Sequence, residues 1–462
     1  MIVRDEKLIE GGITPAFLMG CLKEHEIRVS VMEKLAAAYA SKPAILARQV
    51  TEGMPNNKLV HNYARYIVAV ASGYLIGNPV SYEGENIDSL LDAYKAARAD
   101  SVDAELAKDA SLYGKGVELC YADEQARPRT AALDPRSAFV VYGNDVASTP
   151  LLGVRYYSTF SMDGKVDGME IHAYTNSMHM VYRGKDREAA AKATPEMDAH
   201  YFDGIPIVEY WNNDDETGDF EHVMTLIDAY DILQSDRVND KEQFVQALLV
   251  LTGVRLETEP DILDEKGEVI KKGRTPAQQI RQDKMLMLPD NDATAEYLVK
   301  QLAEADVEIL KDAINADIHK LAMVPDLSDE NFAGNVSGVA MKYKLFGLEQ
   351  LTKVKERWFE EALRERLKLF ANFLAVKGQA KVDADAVDIV FRRALPANEL
   401  ELSQMVAALN NIVPTRTLLG QLPFVQDVDA AYDEISEEKA KNLKRQQTAF
   451  GMPFAAAEDD DA

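Results

Sequence analysis

The sequence predicts a mainly helical α+β fold, on three observations. Helical periodicity dominates residues 14 to about 112 and returns from 222, while between about 115 and 213 the period shifts toward two. A loop-like stretch at 325–337 is then followed by apolar residues at helical spacing over roughly forty positions.

The N-terminal helices are read from "HEIRVSVMEKLAAAYASK" (25–42), "LVHNYARYIVAVASGYLIG" (59–77) and "IDSLLDAYKAARADSVDAELAKDASLYG" (87–114). Each places apolar residues three and four apart, and the second stops at Gly77 with Pro79 behind it. From Lys115, "GVELCYADEQARPRTAALD" reads as a hairpin. It is followed by strands at "SAFVVYG", "GVRYYST", "MEIHAYT", "MHMVYRG" and "IPIVEYW", with turns at Asp163-Gly164 and Asp167-Gly168. An antiparallel meander over 115–213 is expected. Helix returns at 222–253. A β-leaning insert follows at 254–300, with a turn at Asp264-Glu265-Lys266-Gly267 and a strand at "KMLMLP", and then a helix ends at Pro325.

The helix expected from 338 to about 377 would be roughly 60 Å long at 1.5 Å per residue. Trp358 and Phe359 fall on its apolar spacing and read as packing residues. Between 339 and 377 it holds nine Lys or Arg against five Glu, inside a chain of net charge −26. That excess predicts either neighbouring subunits of opposite sign or a solvated face. A short strand at "AVDIVFRR", a helical end and the acidic tail "EDDDA" complete the chain.

With 462 residues, 47% of them hydrophobic, the chain can bury a sizeable core in two to four domains. Its 77 acids against 51 bases disfavour tight non-specific binding to nucleic acid or anionic lipid. Cys21 and Cys120 form neither a metal spacing nor a disulfide framework, which fits a reducing compartment. The charged start "MIVRDEKLIEGG" and the lack of a long apolar run predict no signal peptide and no membrane span.

No nucleotide-binding, zincin or thiol–disulfide motif is present, and no cofactor is expected. His25, His61, His172, His179, His200, His222 and His319 are scattered, with no partner at helical spacing, and read as packing or surface residues. The sequon at Asn335 reads as accidental. Asp326, Asp329 and Glu330 lack the alternation of a calcium loop and read as a solvated acidic loop.

Four blocks, in order and at matching spacing, resemble the portal proteins of tailed bacteriophages, in the class typical of siphophages with long non-contractile tails. They are "NNKLVHNYARYIVAVASGYLIGNPVSY" (56–82), "ASLYGKGVELCYADE…LDPRSAFVVYGND" (110–145), "DAYDILQSDRVNDKEQFVQALLVLTG" (228–253) and the run from "PDLSDENFAGNVSG" to "LKLF" (325–370). The resemblance covers about residues 14–440. It implies a homo-oligomeric ring, usually dodecameric, at one capsid vertex of the virion, assembled in the host bacterial cytoplasm. Double-stranded DNA would pass through its channel without sequence specificity during packaging and ejection. Terminase large subunit, head–tail adaptor, and major capsid and scaffolding proteins would be the partners, with no membrane involved and no catalytic activity.

Carried onto this chain, the resemblance implies an antiparallel β-rich wing at 1–225 and a two-helix stem at 228–252 and 303–323. A small α/β clip would lie at 254–300, a tunnel loop at 325–337, a long wing helix and strand at 338–396, and a helical crown with acidic tail at 397–462. In the loop, Asp326, Asp329 and Glu330 would repel phosphate. Asn331, Phe332, Asn335 and Val336 would offer neutral contacts, and Gly334 and Gly338 would act as hinges. Two alternatives stand beside this reading: a non-portal capsid or head–tail adaptor, and a metal-dependent hydrolase acting on DNA through the loop carboxylates.

Overall fold

The structure is a computed structural model. It describes residues 1–52, 54–245, 248–252, 258–263, 267–275, 278, 294–298, 304–327, 338–379, 382–393, 399–410, 412–420, 422, 425 and 428–449. A short strand β1 (Ile2–Arg4) precedes helix α1 (Pro15–Tyr39). Thr14 caps α1, its hydroxyl accepting from the Phe17 amide at 3.2 Å, and Pro15 occupies the first helical position. Helix α2 (Tyr63–Ile76) starts four residues later than the apolar pattern predicts. Asn62 caps it by accepting from the Arg65 amide at 2.8 Å, and 59–62 instead run non-helically along the later helix α6.

After strand β2 (Ser81–Glu83), the single helix expected over 87–114 is two, α3 (Asp88–Ala97) and α4 (Ala99–Tyr113). Arg98 adopts the left-handed conformation (φ 56°, ψ 44°) between them, and the small flanking Ala97 and Ala99 are both buried in one core cluster. Helix α4 ends at Gly114 (φ 90°), where an added Cβ would lie 2.0 Å from the Glu216 carbonyl oxygen. Only glycine fits there.

The expected meander is divided between two sheets. Strands β3 (Lys115–Ala122) and β4 (Pro128–Leu133) form the predicted hairpin. Next come β5 (Ala138–Gly143), β6 (Pro150–Phe160), β7 (Val166–Tyr174) and β8 (Met178–Gly184). A short helix α5 (Arg187–Lys192), then β9 (Glu196–Ala199) and β10 (Ile207–Trp211), complete this part of the chain. Strands β5 to β9 form an antiparallel meander extended by β1, which pairs parallel to β5. Strand β10 instead returns to β3, giving the order β10-β3-β4. Residues 115–120 are buried, so β3 is an interior strand that needs a partner on both edges. Gly164 makes the β6–β7 turn (φ 76°), whereas Asp167-Gly168 lies inside β7 and is not a turn.

Helix α6 (Met224–Val245) is shorter than the helix expected over 222–253, and the stem segment assigned to 228–252 needs correcting at its end. Residues Leu248–Thr252 form strand β11, and a small hairpin β12 (Ile262–Leu263) and β13 (Val269–Lys271) turns near Gly267 (φ 83°). Strand β14 (Thr294–Leu298) pairs antiparallel with β11, closing the base of the insert. A short uncharged apolar run satisfies helix and strand patterns equally, and here the pairing partner decides. The predicted "KMLMLP" strand lies outside the described residues. Helix α7 (Glu304–Leu321) packs along α6, joined by Arg237–Glu308 at 2.7 Å and Lys241–Glu304 at 2.6 Å.

The long helix is interrupted, as α8 (Gly338–Lys344) and α9 (Phe346–Val376). Leu345 (φ −88°, ψ 1°) departs from helical geometry while keeping i→i−4 bonds on both sides, to Met341 at 3.0 Å and from Glu349 at 2.8 Å. Its side chain is buried in the cluster that holds Ile318 and Val324. Further along, Phe359, Leu363, Leu367, Phe370 and Leu374 bury one face of α9 against α3, α4, β3 and β10. Trp358 packs on Trp211 with ring centres 5.2 Å apart, so both aromatic residues are packing residues as expected. Strand β15 (Asp388–Val390) pairs with β2, and helices α10 (Glu399–Leu409), α11 (Thr415–Leu419) and α12 (Val428–Ala449) end the described chain. The "EDDDA" tail lies outside the described residues. Among those described, no helix is long and apolar enough to cross a membrane.

Candidate functional site

Where the segment 325–337 leaves the fold, α7 has just ended at a left-handed Met323 (φ 55°), and Val324 is fully buried. The chain is then held by side chains of α2, about 260 residues away in sequence. The Tyr66 hydroxyl donates to the Pro325 carbonyl at 2.7 Å and accepts from the Leu327 amide at 2.9 Å. Tyr63 donates to Asn315 Oδ1 at 2.6 Å, and Asn315 Nδ2 reaches Asp326 Oδ2 at 3.5 Å. His319 Nδ1 lies 2.9 Å from the Val324 carbonyl, which can only accept, so that nitrogen bears the proton. Its Nε2 stands 3.7 Å from Asp326. An open cleft of about 380 Å³ lies alongside, lined by His61, Tyr63, Tyr66, Asn315, His319 and Asp326.

On the far side of the segment, α9 is fixed by charges buried in the same chain. Arg366 is fully buried and donates to Asp103 at 2.5 and 3.2 Å, Glu118 at 3.2 Å and the Tyr82 hydroxyl at 2.9 Å, with its guanidinium 4.9 Å over the Tyr94 ring. Lys355, also buried, pairs with Asp219, which accepts from Ser111 and from Asn212 at 2.9 Å as well. A third buried pair, Lys115–Glu209 at 2.8 Å, joins β3 to β10, and Glu209 also accepts from the Val140 amide at 3.0 Å. Burial acts to raise the Glu209 carboxyl, but the charge and hydrogen bond of Lys115 hold it below its usual range. The basic excess of the long helix is therefore divided: Lys342, Lys353, Arg357 and Lys377 are exposed, as on a solvated face, while Lys355 and Arg366 turn inward. These two are paired with Asp219, Asp103 and Glu118 of the same chain.

Of the sequence-predicted site residues, the structure describes two. Asp326 joins the polar cluster at the loop root, and Gly338 is the first residue of α8. Asp329, Glu330, Asn331, Phe332, Gly334, Asn335 and Val336 lie outside the described residues. Sequence reasoning missed Tyr63, Tyr66, Asn315 and His319. The available signal was the three-residue spacing of the two tyrosines, which places them on one face near the start of α2.

The histidines are less isolated than helical spacing suggested, because strand pairing brings several together. On β7 and β8, His172 Nδ1 meets His179 Nε2 at 2.9 Å, and His172 Nε2 faces the Tyr157 hydroxyl at 3.0 Å. His179 stacks on Tyr174 at 4.4 Å, its cross-strand neighbour. Burial lowers both histidines, His179 to about 4, so the array packs as neutral rings. Among the described residues, no three His, Cys, Asp or Glu side chains stand close enough to hold a metal ion.

The model of the family described as "Phage portal protein, SPP1 Gp6-like" matches residues 20–445. This chain belongs to that family. Among its curated relatives, the portal protein of Bacillus phage SPP1 is 23% identical over 407 residues, covering 84% of this chain and 77% of the relative. The portal protein of Clostridium phage phiCD119 is 22% identical over 403 residues, covering 83% and 85%. Similar solved chains come from "Neck of empty GTA particle computed with C6 symmetry" (13% identity, TM-score 0.43, 85% of this chain and 90% of that one). Another is from "Neck of native GTA particle computed with C12 symmetry" (11%, 0.43, 84% and 91%). The mainly helical α+β architecture is thus that of a phage portal protein.

Proposed function

We propose that copies of this chain form a dodecameric ring at one capsid vertex of a phage particle, through which double-stranded DNA is packaged and ejected. The observation that supports this most strongly is the family match over residues 20–445, which spans the wing, both stem helices and the long helix. In this reading the segment 325–337 reaches into the channel. It is held at one end by α2 and α7, and at the other by an interrupted helix locked to the wing through Lys355 and Arg366. The insert between β11 and β14 is the surface for terminase and head–tail adaptor, and 399–449 belong to the crown. The chain acts as a conduit, with no chemistry of its own.

A net charge of −26 per copy suits a conduit. A channel lined with cations would release counterions at each phosphate contact and hold the duplex, whereas an acidic ring lets it slide. Capsids assembled with and without the chain test the reading, by measuring nuclease-protected DNA after terminase and ATP are added. Protection only in capsids containing the chain is expected, and equal protection without it would overturn the proposal. Divalent-metal titration in a nuclease assay addresses the hydrolase alternative, for which the portal reading expects no cleavage at any metal concentration.

A further inference from the structure

We propose that Tyr66 is a positioning residue that fixes where and in which direction the channel segment leaves the fold; this rests on the portal reading. One hydroxyl spans the exit, donating to the Pro325 carbonyl at 2.7 Å and accepting from the Leu327 amide at 2.9 Å. The tyrosine stands on α2, which is held by Ala64, Ile67 and Val68 in a buried cluster, so the clamp is mounted on a rigid element. Its ring meets His319 edge-on at 5.6 Å, and His319 in turn donates to the Val324 carbonyl at 2.9 Å. Burial keeps the Tyr66 hydroxyl protonated and able to donate at neutral pH. The open cleft of about 380 Å³ beside the exit leaves the root room to shift once the hydroxyl is gone. Tyr66 and His319 thus grip the backbone at Val324, Pro325 and Leu327, one side chain from each of two helices. A force on the segment from passing DNA is delivered to α2 and α7 through these bonds.

Tyr66→Phe retains the ring and removes only the clamp. Chymotryptic cleavage after Phe332 is the probe, with the exposed wing residues Phe160 and Tyr201 as internal controls. Cleavage after Phe332 is expected to rise on the order of tenfold, as loss of two backbone bonds implies, while the control sites and the melting temperature stay as in the wild type. Packaging is expected to slow in the same variant. His319→Leu should reproduce this behaviour, and His319→Asn, which keeps a donor near Nδ1, should restore it. Equal cleavage rates in wild type and Tyr66→Phe would overturn the proposal. The cleavage ratio is read on the purified chain in any oligomeric state, so a failure of the portal reading shows separately, as wild-type protein that packages nothing.

Discussion

The Arg366 guanidinium lies 2.5 Å from the Asp103 carboxylate, and neither side chain reaches solvent. This pair joins the long helix to α4, and through Glu118 to the central strand of the smaller sheet. It fixes the long helix that follows the 325–337 segment. A buried pair of this kind need not stabilise the fold relative to apolar packing, but half of it is strongly destabilising.

Arg366→Met is therefore expected to lower stability by about 3–5 kcal/mol, because Asp103 and Glu118 remain buried without a cation. Lys355→Met should cost less, since Asp219 keeps its bonds from Ser111 and Asn212. Urea denaturation of the two variants checks the order. A larger loss for Lys355 would mean that the Arg366 cluster is not the principal mount.

Gly114 and Gly164 both have positive φ, yet substitution should affect them differently. An alanine at Gly164 meets nothing within 4 Å and should cost about 1–2 kcal/mol of backbone strain. At Gly114 the new Cβ would strike the Glu216 backbone, so Gly114→Ala should give largely insoluble or unfolded protein. Similar melting temperatures for the two variants would contradict this packing.

Acid should weaken the packing of α1 on the larger sheet through His25. Burial, followed by the Lys115 charge, lowers this histidine from 6.5 to about 3, and its Nε2 donates to the Pro135 carbonyl at 3.0 Å. A depressed pKa means that the unfolded chain binds the proton first. The stabilising contribution is complete above about pH 6.5 and is lost as pH falls toward 3, by about 1.4 kcal/mol per unit. Melting temperatures from pH 7 to 4.5 should fall less steeply in His25→Phe than in the wild type, and parallel slopes would refute the assignment.

Gly334→Pro combined with Gly338→Pro tests the hinge proposal. Gly338 is the first residue of α8, where proline lacks only an amide the helix leaves unpaired, so the helix should survive. Normal assembly with slowed packaging is the expected result. Packaging at wild-type rate would show that mobility at these two positions is irrelevant.

The elements legible in the sequence were those whose period and end signals agreed, such as α2 with its Gly77 stop, the β3–β4 hairpin and the β6–β7 turn at Gly164. What escaped was set by distant partners. Arg98 breaks a continuous helical pattern where Ala97 and Ala99 are both buried in the core cluster that also holds the long helix's apolar face, and Leu248–Thr252 becomes a strand because Thr294–Leu298 lies beside it. The three residues of β1 are too few to show a period. Charge counting detected the excess on the long helix, but no pattern in sequence says that a lysine and an arginine turn inward toward Asp219 and Asp103. The helix stop before Pro325 was legible, while the clamp on the exit was not, since Tyr66 and Pro325 are linked only by folding.

The central claim is that this chain works as an open ring, and electron microscopy of the purified full-length protein tests it most directly. The account predicts closed twelvefold rings, with a central channel wide enough for duplex DNA and the 325–337 segment at its narrowest level. A monomer, a closed dimer, or a ring whose 325–337 segment faces outward would contradict it.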